Sequence, residues 1–383
     1  MQHDYVSDVT LNTQEWSMVL PRIIQIEVTT ACQLRCLFCP HTALGDNWIK
    51  THMSWETFSC LLPFVRHTRL VHLQGWGEPL LNPRLWDMAA AIRERRGRVS
   101  LTTNAMLLDD DAAQEILRIG FDLVAVSVAG AQGEKNDSLR IGSDFERICA
   151  NIDHLCSLKR HPKVHLVMQM MKVNMEELPE LVRLAARLGV DEVIAPNLDY
   201  SPAHEVDDLR AFDRSPDSHY MELTNEAVRE GKELGVKVHI APLSPRDDVL
   251  MCDADPPYNV WISASGEVTS CPYLAMSLRG KTPRVFWKEI EELPRFSYGN
   301  VRSGLDSVLN GQVARAFREA YTRRLLADRV DAVTEANVAS MPRVSSSSVH
   351  FFESLARMTS KDRRSEIPPP PDICRKCYKL YGL

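Results

Sequence analysis

Apolar residues along the chain follow two alternating rhythms. The segments RIIQIEV (22–28), LVHLQGW (70–76), VSLTTN (99–104), FDLVAVSVAG (121–130), KVHLVMQMMK (163–172) and DEVIAPNL (191–198) are short and bounded by turn formers, so each reads as a strand. Between them the apolar residues recur every three or four positions. MSWETFSCLLPFV (53–65) reads as a helix with Ser54 as its N-cap, and Pro83 opens another that runs to about Glu94. DDDAAQEILRIG (109–120) has an acidic first turn and a terminal glycine, and FERICANIDHLCSLK (145–159) and EELPELVRLAARLGV (176–190) follow. One more helix, roughly 217–234, leads to VKVHIAPL (236–243). Strand and helix alternate at least six times, which predicts a parallel sheet covered by helices. An open doubly wound sheet and a barrel both satisfy this pattern. In either, ligands gather where strands end, and Cys32–Cys39, Gly75–Pro79, Thr102–Asn104, Ser127 and Asn197 all sit at such ends.

After residue 245 the pattern changes. YNVWISASGEVTSCPY (258–273) alternates like a hairpin with Ser265-Gly266 as its turn, and residues 300–325 hold one or two helices. Residues 340–371 are poor in pattern, with SSSS at 345–348 and PPPP at 368–371. The expected division is an N-terminal segment (1–21), a βα unit (22–245) and an extension (246–383). Within the extension, 330–371 is read as a flexible insertion around a short helix near 350–358.

Composition narrows the classes. With 383 residues, 44% hydrophobic, the chain can bury a large core. A net charge of −6 leaves no basic footprint for nucleic acid. The apolar runs are too short to span a bilayer, and MQHDYVSDVT lacks the pattern of a signal peptide, so a cytoplasmic location is expected. In that compartment, clustered cysteines point to metal binding or catalysis rather than disulfides. Of the ten cysteines, Cys60, Cys149 and Cys156 lie in helical patterns and read as small buried hydrophobes. The other seven lie in loops.

Three of these seven fall within ACQLRCLFCPHT (31–42): Cys32, Cys36 and Cys39. A thiolate group binds a soft metal. A structural zinc wants four protein ligands, and Cys32, Cys36, Cys39 and His41 have an unusual spacing for that. A four-iron cluster normally takes four cysteines, so three leave one iron open to a ligand. CxxxCxxC directly after the first strand of a βα array resembles the signature of radical S-adenosylmethionine (SAM) enzymes, over roughly residues 20–243. The resemblance implies an α/β fold, a partial (β/α)6 TIM-like barrel with a small C-terminal α+β cluster-binding extension. It also implies a [4Fe–4S] cluster on the three cysteines whose open iron chelates SAM. Reductive cleavage of SAM then yields a 5′-deoxyadenosyl radical that takes hydrogen from substrate, with flavodoxin or ferredoxin as electron donor. Phe38 matches the aromatic residue of the family motif, and Gly75, Gly77, Glu78 and Pro79 in GWGEP resemble the SAM-binding GGEP motif, from which Trp76 departs. Thr103, Asn104, Ser127 and Arg140 resemble SAM-contacting positions, with Gln169 and Asn197 as weaker matches.

Cys252, Cys271, Cys374 and Cys377 are enough to close one further site, either an auxiliary [4Fe–4S] cluster or a zinc ribbon. Their arrangement, with YGNV at 298–301, resembles the C-terminal extensions called SPASM and twitch domains, in the shorter form with one auxiliary cluster. An auxiliary cluster suits a net oxidation. The expected function is therefore oxidative modification of a peptide or protein, or maturation of a partner enzyme. The alternatives are a small-molecule alcohol or sugar dehydrogenase and, from another class, a non-catalytic iron–sulfur or zinc-binding protein. About 22 residues precede the first strand, which is too few for a separate leader-peptide-binding domain. Asp199 and Tyr200, just past the sixth strand, are catalytic candidates by position and equally surface-loop residues.

Overall fold

The computed structural model describes residues 20–339 and 367–383. The segment expected over 1–21 and the short helix expected near 350–358 fall almost wholly outside the described residues. Strands β1 (Ile23–Ile26), β2 (Arg35–Cys36), β3 (Leu70–Leu73), β4 (Val99–Thr103), β5 (Leu123–Val128), β6 (Arg140–Ile141) and β7 (Lys163–Met168) come first along the chain. They are followed by β8 (Glu192–Ala195), β9 (Lys237–Ile240), β10 (Asn259–Ile262), β11 (Glu267–Thr269), β12 (Thr282–Phe286), β13 (Glu289–Leu293) and β14 (Gly299–Asn300).

Ten of these strands form one sheet in the order β14-β11-β10-β1-β3-β4-β5-β7-β8-β9. From β10 to β9 every pairing is parallel, and β11 and β14 add an antiparallel margin. The two margins, β9 and β14, do not pair with each other, so the sheet is open, as a partial barrel requires. Ile24, Ile26, Val71, Leu73, Val99, Leu101, Val124, Val126, Val164 and Leu166 are all buried. Parallel strands with helices packed on them read as near-continuous apolar runs for this reason.

The helices start and stop where side chains can satisfy their ends. Asp109 caps Asp110–Ile119 by accepting from Ala112 N, and Gly120 ends it at φ 82°. Asp144 caps Phe145–Ser157, and Asp217 caps Ser218–Leu234. Ser54 caps its helix as expected, but that helix covers only Trp55–Ser59. Pro63 has no N–H to continue it, and the expected span to 65 breaks into turns and a 3₁₀ segment, Val65–His67.

The C-terminal part joins the same sheet. β10 lies in register beside β1, Ile23 opposite Asn259 and Ile26 opposite Ile262. The final long helix, Gln312–Ala339, runs past the expected start of the insertion at 330. Hairpin β12–β13 has no turn signal in the sequence. Its tip is Trp287-Lys288, both at positive φ (47° and 69°), where asparagine and glycine are usual. Tertiary contacts hold it there: Trp287 N donates to the Tyr378 hydroxyl at 2.7 Å, and the Arg210 and Arg214 guanidinium groups lie over the indole. Among the described residues no helix is long and apolar enough to cross a membrane.

Candidate active site

The loop after β1 is pinned at both ends. The Thr30 hydroxyl donates to Ile49 O at 2.8 Å, and Trp48 Nε1 donates to Thr30 O at 3.0 Å. Further along, β2 pairs with β6, so Cys36 stands opposite Arg140, and Leu37 N donates to Leu139 O. Cys39 occupies the N-cap position of Pro40–Ala43, with Pro40 in the first turn. Cys32, Cys36 and Cys39 thus line one cavity of about 270 Å³ at the C-terminal ends of the parallel strands. Burial pushes the Cys32 thiol up to about 11 and the Cys39 thiol up to about 12, with neighbouring thiols adding to both. Metal binding here must therefore release protons.

The GWGEP loop forms another wall. The Glu78 carboxylate accepts from the Thr103 hydroxyl (2.8 Å), Asn104 N (2.7 Å) and Leu80 N (3.1 Å). Burial raises this carboxyl above its ordinary range, while these bonds oppose the rise. Glu78 thereby ties the end of β3 to the end of β4. The glycines answer a packing need as well as the approach of a ligand. A Cβ at Gly77 would sit 2.5 Å from the carbonyl oxygens of Thr29 and Ala31, and one at Gly75 would sit 2.2 Å from Glu27 Cγ. Asn104 links this wall to the thiols, its Nδ2 donating to Cys32 Sγ at 3.8 Å. Arg140 is buried in the lining with Nε unpartnered. A buried guanidinium with an unused donor suits an anionic ligand.

Phe38, Gly75, Gly77, Glu78, Thr103, Asn104, Ser127, Arg140 and Gln169 all line this cavity. Three expected residues do not. Pro79 is buried in the 3₁₀ turn Pro79–Leu81. Asn197 points the other way, its Nδ2 donating to Pro242 O at 2.8 Å. Asp199 is held between the Tyr273 hydroxyl and Lys379 Nζ, each at 2.7 Å. Tyr200 lines the cavity with its ring, but its hydroxyl donates to Pro283 O at 2.6 Å. Sequence reasoning missed Trp76 and Tyr273 as lining residues. The departure at Trp76 was the available signal for the first. Tyr273 arrives from more than 190 residues away, its neighbour Pro272 accepting from Trp76 Nε1 at 3.3 Å.

Cys252, Cys271, Cys374 and Cys377 converge on a second, buried cavity, which Tyr321 and Arg284 also line. Burial raises all four thiols, Cys252 and Cys374 to about 12. The two segments that lead to Cys252 and Cys374 are fastened by Arg324, whose guanidinium donates to Val249 O, Leu250 O and Pro368 O at 3.0, 2.8 and 2.7 Å. Tyr273 lines both cavities. Among the described residues no group of three or more His, Cys, Asp or Glu is arranged to hold a single metal ion. A cubane cluster asks for a wider arrangement, because each thiolate binds a separate iron. Cys60, Cys149 and Cys156 are half-buried and pack against the core.

Residues 26–185 match the family model of the radical SAM superfamily. Over this stretch the chain carries a radical SAM domain. Among its relatives is the tungsten-containing aldehyde ferredoxin oxidoreductase cofactor-modifying protein of Pyrococcus furiosus, 26% identical over 289 residues, 73% of this chain and 78% of that protein. The AdoMet-dependent heme synthase of Methanosarcina barkeri is 25% identical over 305 residues, 71% of this chain and 83% of that one. Streptococcus suis SuiB, solved with S-adenosylmethionine, shares the fold at a TM-score of 0.60 and 15% identity, over 79% of this chain and 68% of that chain. SuiB was also solved with the precursor peptide SuiA, where the TM-score is 0.57 at 15% identity, over 78% of this chain and 67% of that chain. A radical SAM domain implies SAM and a [4Fe–4S] cluster. The three convergent thiols and the unpartnered Arg140 Nε fit that pair.

Proposed function

We propose that this radical SAM enzyme carries two [4Fe–4S] clusters and oxidatively modifies a peptide or protein, or a cofactor being matured for a partner enzyme. The observation that carries this reading is the sorting of seven cysteines into two cavities, three thiols beside Arg140 and four in a closed set, joined by Tyr273. When bound, SAM and its cluster supply the 5′-deoxyadenosyl radical that takes hydrogen from substrate, and the second cluster supplies a one-electron acceptor. The protein's own part is binding and orientation. Cys32, Cys36 and Cys39 would hold the first cluster, one thiolate fewer than a cubane's four irons. Arg140 would pair with the SAM carboxylate, and the Gly75–Glu78 backbone and Asn104 would contact the rest of SAM. Cys252, Cys271, Cys374 and Cys377 would hold the second cluster. Their all-sulfur, buried donor set suits an iron–sulfur cluster and a structural zinc alike, and the position of the set beside the three-thiol cavity, with Tyr273 lining both, supports the iron–sulfur reading. Cofactor modification by the Pyrococcus relative and the peptide bound to SuiB support the two substrate classes. Oxidation of a small alcohol or sugar finds no comparable support.

The test is anaerobic reconstitution followed by SAM and dithionite. About eight irons per chain and release of 5′-deoxyadenosine are expected. Cys36→Ala removes the product, whereas Cys374→Ala keeps SAM cleavage and loses about four irons. Intact clusters with no 5′-deoxyadenosine would overturn the reading, and about four irons with one zinc would assign the second site to a ribbon.

A further inference from the structure

Part of the cavity lining is aromatic side chain, set apart from the thiols, Glu78 and Arg140; at Trp76 the backbone belongs to the proposed SAM wall and only the indole to this surface. Trp76, Tyr200 and Tyr273 form a contiguous aromatic wall, with ring centroids 6.0 Å (Trp76–Tyr200), 5.8 Å (Trp76–Tyr273) and 4.9 Å (Tyr200–Tyr273) apart. They belong to a different packed cluster from the thiol loop, one that also holds Trp48, Met276 and Leu278.

The polar atoms of this wall are all used elsewhere. Trp76 Nε1 donates to Pro272 O, the Tyr200 hydroxyl to Pro283 O, and the Tyr273 hydroxyl to Asp199 Oδ1. Asp199 is in turn neutralised by Lys379. The wall therefore offers the cavity ring carbon and no free donor. No unpaired charge faces the cavity on this side: Lys379 Nζ lies 5.9 Å from the Tyr273 ring centroid, but it is paired with Asp199 and neither residue lines the cavity. Apart from the thiols, the ionisable side chains on the lining other than tyrosine are Glu78 and Arg140, which belong to the SAM wall. A charged group placed against the aromatic wall would lose its water without gaining a partner. Tyr200 and Tyr273 stack on each other with 20° between their planes, which leaves less open ring face for a cation. A flat, uncharged ring suits such a surface, because it gains edge or offset-stacked contacts and asks for no hydrogen bond.

We propose that Trp76, Tyr200 and Tyr273 are the specificity-determining subsite of this enzyme, and that the subsite takes a flat, uncharged aromatic or conjugated ring from the substrate. The proposal rests on the radical SAM reading of the same cavity and names its substrate chemistry. Two sources supply such a ring: an aromatic side chain on a peptide, and the conjugated ring of a cofactor.

The test is equilibrium dialysis of the reconstituted, SAM-loaded enzyme against N-acetyl-tyrosinamide, N-acetyl-tryptophanamide, N-acetyl-leucinamide, N-acetyl-lysinamide and free indole. The tyrosine and tryptophan amides are expected to bind about tenfold more tightly than the leucine and lysine amides. Tyr200→Leu should weaken ring binding about fivefold, while Tyr200→Phe, which keeps the ring and loses only the bond to Pro283, stays within about twofold. A leucine or lysine amide that matches the ring probes overturns the proposal. So does an unchanged Tyr200→Leu variant, or a Tyr200→Phe variant as impaired as Tyr200→Leu. Indole weaker than the capped amides assigns the ring to a peptide, and indole equal to them assigns it to a cofactor; both orders support a ring subsite. Release of 5′-deoxyadenosine is measured on the same wild-type preparation. Its absence condemns the radical reading, whereas its presence without ring selectivity condemns only the subsite.

Discussion

At the residue scale, two buried ionisable groups bear on the site, Arg140 within its lining and Glu27 behind it. Arg140 is placed by backbone pairing opposite Cys36 and keeps one donor unused. A charge-assisted bond to a ligand carboxylate contributes roughly 1.5–3 kcal/mol. Arg140→Gln should therefore weaken SAM binding by one to two orders of magnitude while iron content stays at the wild-type level. Unchanged SAM affinity in equilibrium dialysis would remove Arg140 from the SAM site. Glu27, behind Gly75, is the other group. Its carboxylate accepts from Trp76 N and Ala264 N, yet burial dominates and lifts its pKa from 4.5 to about 7. The unfolded chain therefore gives up this proton at lower pH than the folded chain. Glu27 is without penalty below pH 4.5, stability falls as pH rises from 4.5 toward 7, and the loss is constant above that. The loss amounts to about 3 kcal/mol. Glu27→Gln has no such titration, so urea unfolding should show wild type losing ground to the variant between pH 5 and 7. A pH-independent difference would refute this.

At the element scale, the second four-cysteine site depends on the helix Gln312–Ala339, which supplies no cysteine. Tyr321 lines the cavity, and Arg324, one turn on, holds the carbonyls of the two loops that deliver Cys252 and Cys374. The three carbonyls would be left without their donor if the guanidinium were removed. Arg324→Met should reduce iron from about eight to about four per chain and spare 5′-deoxyadenosine release. A full iron complement in the variant would show that the loops need no such clasp. Hairpin β12–β13 makes a related point. Its Trp287-Lys288 tip is held by Tyr378, Arg210 and Arg214, two of them from the barrel side.

At the scale of the whole molecule, the barrel and the extension share one sheet. β10 pairs along the whole of β1, and the Glu27 carboxylate bonds the backbone at Ala264. A fragment ending at residue 245 would turn the buried strand β1 into an open edge with one side of its backbone unpaired. We expect residues 20–245 to aggregate on expression. A monodisperse fragment in size-exclusion chromatography, with native-like circular dichroism, would show the two parts to be independent. The shared sheet also accounts for Tyr273, which follows Cys271 and reaches the three-thiol cavity because β10 and β11 are laid beside β1.

Much of the architecture was legible in the chain because it is set by local periodicity. Alternating strands and helices, the caps Ser54 and Asp109, and the three-thiol loop after the first strand are written in neighbouring residues. The spacing of Cys32, Cys36 and Cys39 was enough to expect three thiols at one place, since all three sit on one loop. What the sequence could not determine depends on contacts between distant segments. Arg324 has no motif, because its partners are backbone carbonyls 44 to 75 residues away. Asp199 looked available from its place after a strand, and only packing shows it clasped by Tyr273 and Lys379. The aromatic wall is assembled from three loops, after β3, β8 and β11, that the shared sheet brings together. Short-range patterns in the chain therefore determined where the three-thiol loop sits, while long-range packing alone decided what the aromatic side of the cavity presents.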